Sequence, residues 1–262
     1  MKVFHVDAFT SQMFGGNPAA VCLVDDSRDA EWMQRLAREL SVPATAFVRH
    51  TPEHRELRWF APGAELELCG HGTLAAAHVM WESGEVPGNE PARFETRNGS
   101  LTAIRRDGLI ELDFPATPDE PATPPPGLAE ALRTMPKYVG RSRFDYLVEL
   151  EDESAVRALR PDFAGLRSIQ TRGVIVTSRA EDGHGDFVSR FFAPSVGIDE
   201  DHVTGSAHCC LAPFWSRRSG RTRFDARQLS PRGGALKVTL EGDRVRLAGQ
   251  AVTVMRGELM SC

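Results

Sequence analysis

The stretch RWFAPGAELELCGHGTLAAA, residues 58–77, decides how this chain folds, because it occurs twice. Its second copy is RFFAPSVGIDEDHVTGSAHCCLA, residues 190–212. Each copy opens with arginine, two aromatics and Ala-Pro, and passes through acidic residues. Each then reaches a small-residue turn holding His71 or Ser206 and enters an Ala-rich stretch. A repeat at half the chain length means two similar lobes. Each copy reads as a strand, a tight glycine turn and the start of a helix, and two facing copies would form a cleft. A helix N-terminus offers unsatisfied N–H groups and about half a positive charge, so it binds carboxylate. Such termini also stabilise the negative charge that develops when an α-proton leaves. The blander alternative is that these glycines only permit close strand–helix packing. Two matched copies weigh against it.

Outward from the repeat, the rest of the chain supplies short strands. Lys2–Phe9 alternates apolar and polar residues, as a strand does. Gly15-Gly16-Asn17-Pro18 is turn chemistry, followed by a buried-looking strand over Ala19–Val24. Asp29 caps a helix to about Leu40, which Pro43 ends. Strands are predicted over Thr45–Arg49, Glu56–Phe60, Arg93–Thr96, Ser100–Arg105 and Ile110–Phe114. A helix runs from Gly70 through Trp81 and ends near Gly84. Ala116–Gly127 holds Pro118, Pro121 and Pro124 to Pro126, so it reads as a linker. Beyond it, helix is expected over Leu128–Met135 and strand over Arg143–Leu150, with Ser154 capping a short helix. Further strands are expected over Val174–Ser178 and Phe187–Phe192, then a helix from Gly205 to about Arg218. Strands Leu236–Leu240, Arg244–Leu247 and Ala251–Val254 close the chain. The expected fold is α+β: two lobes, each a β-barrel-like mixed sheet wrapped around a central helix. The lobes are expected at 1–117 and 118–250, with residues 251–262 returning to the first.

Composition sets limits. The 262 residues are enough for two lobes with cores of their own, and 41% hydrophobic with 26% charged is an ordinary globular profile. A net charge of −5 without a basic run argues against nucleic acid as a partner. No run of apolar residues is long enough for a membrane span. The opening MKVFHVDAFTSQMF lacks the apolar block of a signal peptide. The cysteines are Cys22, Cys69, Cys209, Cys210 and Cys262, an odd set without CxxC spacing. That fits reduced thiols in a cytoplasm. There is no zinc-type spacing, Walker loop or GxGxxG, so neither metal nor cofactor is expected.

The chemistry-bearing residues cluster at the two turns. Cys69 precedes the first, and a cysteine at a helix N-terminus has a lowered pKa and can act as a base. Thr204 holds the equivalent place in the second and carries protons poorly, which argues against a symmetric two-base racemase. His71 and Asp201 can shuttle a proton near neutral pH. Cys209 and Cys210 fall inside the second helix and read as packing.

At this point the residues carry a family resemblance. The blocks FHVDAFTSQMFGGNPAAV, LRWFAPGAELELCGHGTLAAAH, FETRNGSL, LDFPA, SRFFAPSVGIDEDHVTGSAH, QLSPRGG and GQAVTV follow one another through nearly the whole chain. The chain resembles the PhzF-like isomerases of phenazine biosynthesis, relatives of diaminopimelate epimerase and proline racemase. The resemblance implies the two-lobed fold with its site between the lobes. It also implies a cofactor-independent shift of a proton next to a carboxylate, and a homodimer. It implies catalytic roles for Cys69, His71, Asp201 and Ser206. It implies substrate binding by Asn17, Gly70, Gly72, Thr73, His202, Thr204, Gly205 and Ala207.

One position departs from the family pattern. The family's principal acid/base is a glutamate in a Ser-Glu-Thr block, and this chain reads Pro43-Ala44-Thr45 there. Alanine cannot move a proton. His202 likewise stands where the family usually has proline. Three readings follow. The chain is an isomerase of a small amino or hydroxy acid in which Cys69, His71 or Asp201 has become the base. It is a non-catalytic binder of a carboxylated metabolite or of a protein. It is a cysteine-based racemase. The first is favoured, because a binder has no chemical reason to keep His71 and Asp201.

Overall fold

The computed structural model describes residues 1–24 and 28–260, so the expectation about Cys262 lies outside the described residues. The chain divides into two compact units: Met1–Asp113 with Ala248–Cys262, and Phe114–Leu247. The sequence reading had set these divisions at 117 and 251.

The first unit contains β1 (Lys2–Ala8), β2 (Asn17–Val24), α1 (Ala30–Leu40), β3 (Ala44–His50), β4 (Arg55–Phe60), β5 (Glu65–Leu66), α2 (Gly70–Glu82), β6 (Ala92–Thr96), β7 (Gly99–Arg106) and β8 (Leu109–Pro115). Its sheet pairs β1 with β2 antiparallel, β2 with β3 parallel, β3 with β4 antiparallel and β4 with β6 parallel. Strands β6, β7 and β8 continue it antiparallel. The C-terminal strand Ala251–Glu258 joins the free side of β1, from Lys2↔Glu258 to Ala8↔Ala251. The expected return of the chain end is therefore made through backbone pairing. Helix α2 is buried from His71 to Trp81 except at half-buried His78, and touches β1, β2, β3, β6, β7 and the C-terminal strand. A helix without a polar face belongs inside a sheet that curls around it. On the outer face, α1 packs Met33, Leu36 and Ala37 on Cys22, Phe47 and Phe60. The Asp29 carboxylate caps α1 by accepting from Trp32 N–H at 2.7 Å. Ser41 ends it in the left-handed region, φ 53°, two residues before Pro43.

The second unit contains β9 (Glu120–Pro121), α3 (Leu128–Leu132), β10 (Tyr138–Arg141), β11 (Asp145–Glu149), α4 (Glu153–Ala158), α5 (Phe163–Arg167), β12 (Gly173–Arg179), β13 (Phe187–Ala193), β14 (Ile198–Asp201), α6 (Gly205–Ser219), β15 (Arg223–Gln228), β16 (Gly234–Glu241) and β17 (Arg244–Gly249). Strands β10 and β11 pair antiparallel, β11 and β12 parallel, β12 and β13 antiparallel, β13 and β15 parallel, and β15 and β16 antiparallel. This is the pairing sequence of the first unit. The repeat in the sequence is thus a repeat of topology, with α6 in the place of α2 and β12 in the place of β3.

Several local expectations change. The proline-rich segment is not a free linker. Pro213 lies inside α6 and has no N–H, so the Cys209 carbonyl loses its helical partner. Thr117 N–H takes that carbonyl at 3.1 Å. Asp119 accepts from Arg217 at 2.5 Å, and β9 pairs with β10. The short helix at 153–158 is capped by Asp152, whose carboxylate accepts from Ala155 N–H, and Ser154 lies within it. Helix α3 stops three residues early, with Arg133 left-handed at φ 57°. Pro136 disfavours helical backbone at Met135. Strands β10 and β15 and helix α5 carried too weak a pattern to be predicted.

Candidate active-site turns

In both copies of the repeat the opening arginine clamps an acid of the same copy. Arg58 donates twice to Glu65, at 2.7 and 2.9 Å, and Arg190 twice to Glu200, at 2.7 and 2.8 Å. These forks tie each strand to the short strand that precedes its helix. The helices then begin alike. Cys69 and Thr204 are the N-cap residues, both with extended backbone, and the side chain of neither caps its helix. The first N–H groups of α2 and α6 are left to other partners.

At the first turn, Cys69 Sγ lies 3.6 Å from His71 Nδ1, and Asn17 Nδ2 reaches the same nitrogen at 3.4 Å. With Nδ1 unprotonated, the Asn17 amide donates to it, while the sulfur lies against the ring within 3.9 Å of Nε2 as well. All three side chains are buried. Asn17 is delivered by a loop held from β1: buried Asp7 accepts Phe14 N–H at 2.7 Å. Gly16 in that loop has φ +62°, and a Cβ there would meet the Ala8 carbonyl at 2.1 Å. The structure therefore brings Asn17, Cys69 and His71 together. Thr73, expected to bind substrate, is fully buried, and its hydroxyl donates to the Cys69 carbonyl at 2.7 Å.

At the second turn, Thr204 Oγ1 donates to Asp201 Oδ2 at 2.5 Å, so this hydroxyl orients the carboxylate and is not a free substrate contact. Two residues that the sequence reading missed support this turn. Buried Gln228 accepts Thr204 N–H at 2.8 Å, and its amide donates to the Asp201 carbonyl and to Thr204 Oγ1. Arg172 donates from Nη2 to Ser206 Oγ at 3.1 Å. Only the fold brings positions 172 and 228 to this helix end, and neither residue type stands out within its strand. Ser230 holds the His202 carbonyl at 2.8 Å. Gly205 and Ala207 are buried, and Ser206 between them is half-buried. One turn along α6, His208 is completely buried. It donates from Nδ1 to the Thr204 carbonyl at 2.8 Å. Burial pushes its imidazole down from 6.5 to about 4, so it is neutral.

The described residues hold one group with metal-ligand chemistry, Glu153, Glu181 and His184, whose ligand atoms lie within 4.8 Å of one another. Glu153 is already engaged by Arg157 and His184 and by Glu181 N–H, which makes this an ion-pair knot. No helix among the described residues is long and apolar enough to cross a membrane.

The chain as a whole has similar relatives. The chain is 49% identical to an uncharacterized isomerase of Halalkalibacterium halodurans, over 98% of both chains. It is similar to the crystal structure of a PhzF-family phenazine biosynthesis protein of Enterococcus faecalis, with TM-score 0.94, 37% identity and 99% of both chains covered. A hydroxyproline epimerase of Agrobacterium vitis shares the fold at 12% identity, with TM-score 0.65 over 98% of this chain and 91% of that one. Residues 6–257 match the family model described as phenazine biosynthesis-like protein, PhzC-PhzF. The chain therefore belongs to the phenazine biosynthesis-like, PhzC-PhzF family.

Proposed function

We propose that this protein is an isomerase that moves a proton next to the carboxylate of a small amino or hydroxy acid, without a cofactor, using Cys69 and His71 in place of the glutamate missing at Ala44. The observation that carries the proposal is the contact of Cys69 Sγ with His71 Nδ1 at the opening of α2. The imidazole takes the thiol proton, and the helix N-terminus favours the thiolate. The thiolate then removes a proton from the carbon next to the carboxylate, whose growing charge meets the main-chain N–H groups of the turn. In a substrate whose α-carbon is allylic, the electron pair shifts along the double bond and a proton returned at the far carbon completes the isomerisation; Asp201, oriented by Thr204 at the turn of the second unit, is a further acid/base candidate. The isomerase name of the Halalkalibacterium relative supports this reaction class.

The test is incubation with a panel of small amino and hydroxy acids in D₂O, followed by mass spectrometry. Deuterium incorporation into one member of the panel supports the proposal. Binding of a panel member without any incorporation overturns it in favour of a non-catalytic metabolite binder.

A further inference from the structure

We propose that Arg172 is the positioning residue of Ser206, fixing its hydroxyl as a hydrogen-bond donor toward an anionic ligand at the N-terminus of α6. This deepens the reading above and rests on Ser206 meeting the substrate. An arginine only donates, so at the 3.1 Å contact Ser206 Oγ is the acceptor. The single hydroxyl proton must then point away from Arg172. Ser206 is the half-buried position of its turn, flanked by buried Gly205 and Ala207, so its proton is directed to the open side.

The guanidinium is built to hold this pose. The carboxylate of Asp145, with a side chain 2% exposed, takes Arg172 Nε at 2.9 Å and Nη2 at 2.5 Å. The rings of Phe144 and Phe191 lie 5.1 and 5.6 Å from its central carbon. The Phe191 ring presses on the next residue so closely that a Cβ at Gly173 would stand 2.4 Å from it. Asp145 offsets the charge of Arg172, which leaves the fixed fork as its main contribution.

The place of Arg172 in the fold points the same way. It enters β12, which occupies in the second unit the position that β3 occupies in the first. Arg172-Gly173 thus corresponds to Pro43-Ala44. In the second unit the residue at this strand entry touches the first turn of the central helix. The first unit has no charged group at the corresponding position, and Ser206 has a support that His71 receives instead from Asn17.

The test replaces Ser206 with cysteine and titrates the introduced thiol. Alkylation by iodoacetamide is followed on the peptide containing position 206, from about pH 5 to about pH 10. The thiol is expected to titrate at least about one unit below the ordinary value of about 8.5. Adding Arg172→Lys keeps a cation beside Asp145 but loses the fork, and the titration is expected to rise by about half a unit or more. The pair Arg172→Met with Asp145→Asn removes both charges, so no buried carboxylate is left alone, and is expected to raise it at least as far. A titration unmoved by both changes overturns the proposal, since the helix terminus alone would then set the thiol. No substrate takes part, so this result is independent of the D₂O exchange that tests the reaction itself.

Discussion

Gly72 stands directly against the indole of Trp59: a Cβ at position 72 would lie 2.9 Å from Trp59 Cδ1 and 3.0 Å from Cys69 Sγ. The glycine thus has a packing reason of its own, beside any approach of substrate. Gly72→Ala has to push a buried ring or move the sulfur away from His71. Overpacking of this kind costs about 1–3 kcal/mol. Thermal unfolding is expected to shift down, and exchange to fall with it. An unchanged midpoint would mean that Trp59 yields without cost.

Cys69→Ala and Asp201→Ala are each expected to abolish deuterium incorporation into whichever acid the wild type exchanges, because each removes a proton carrier that its turn cannot replace. Full exchange in both variants would remove these residues from the chemistry.

Ala44→Glu tests the proposal that Ala44 stands in place of a catalytic glutamate. Ala44 is fully buried and opposite Ala19 in the parallel pair of β2 and β3. Alternation along β2 puts Ala19 on the same face as Asn17, so position 44 shares the face that meets His71. If a carboxylate at this position is all that the turn lacks, the change raises deuterium exchange in the panel of small acids. No gain would show that the surroundings have been rebuilt. Burial raises the pKa of the new carboxyl. The variant's stability deficit is therefore smallest near pH 4 and grows as pH rises through the raised value. Urea unfolding at several pH values reads it.

His208 makes a second pH prediction. Its imidazole is neutral in the fold, with its pKa down from 6.5 to about 4. The unfolded chain binds this proton first, so the stability held above pH 6.5 is lost as pH falls towards 4. The loss amounts to about 3 kcal/mol. Urea midpoints are expected to fall less over this window in His208→Asn than in the wild type. Equal slopes would assign the acid sensitivity to other groups.

Much of the fold was legible because its signals are local. Helices α2 and α6 announced themselves by glycine turns followed by small residues, and β3, β4, β12 and β13 by apolar runs. The signals failed where a tertiary partner decides the outcome. Thr117 and Asp119 looked like linker because the carbonyl freed by Pro213 and the guanidinium of Arg217 lie far away in sequence. Strand β15 was missed because half of its residues face outwards and carry charge. Cys69, His71, Asp201 and Ser206 stand out as candidates from their place in the repeat. Arg172 and Gln228 do not, because a side chain that supports another residue leaves no pattern around itself.

The sequence by itself determined that this chain has two copies of one unit, each built on a strand, a glycine turn and a buried helix. Backbone propensity and hydrophobic spacing act over a few residues, and the repeat doubles their signal. Only the tertiary structure decided which side chains of the turns engage one another. Thr73 and Thr204 spend their hydroxyls on Cys69 and Asp201. Cys69 and Asn17 converge on His71, and Arg172 donates to the Ser206 hydroxyl. A hydrogen bond depends on distance in space, and the folding of the sheet around each helix sets those distances.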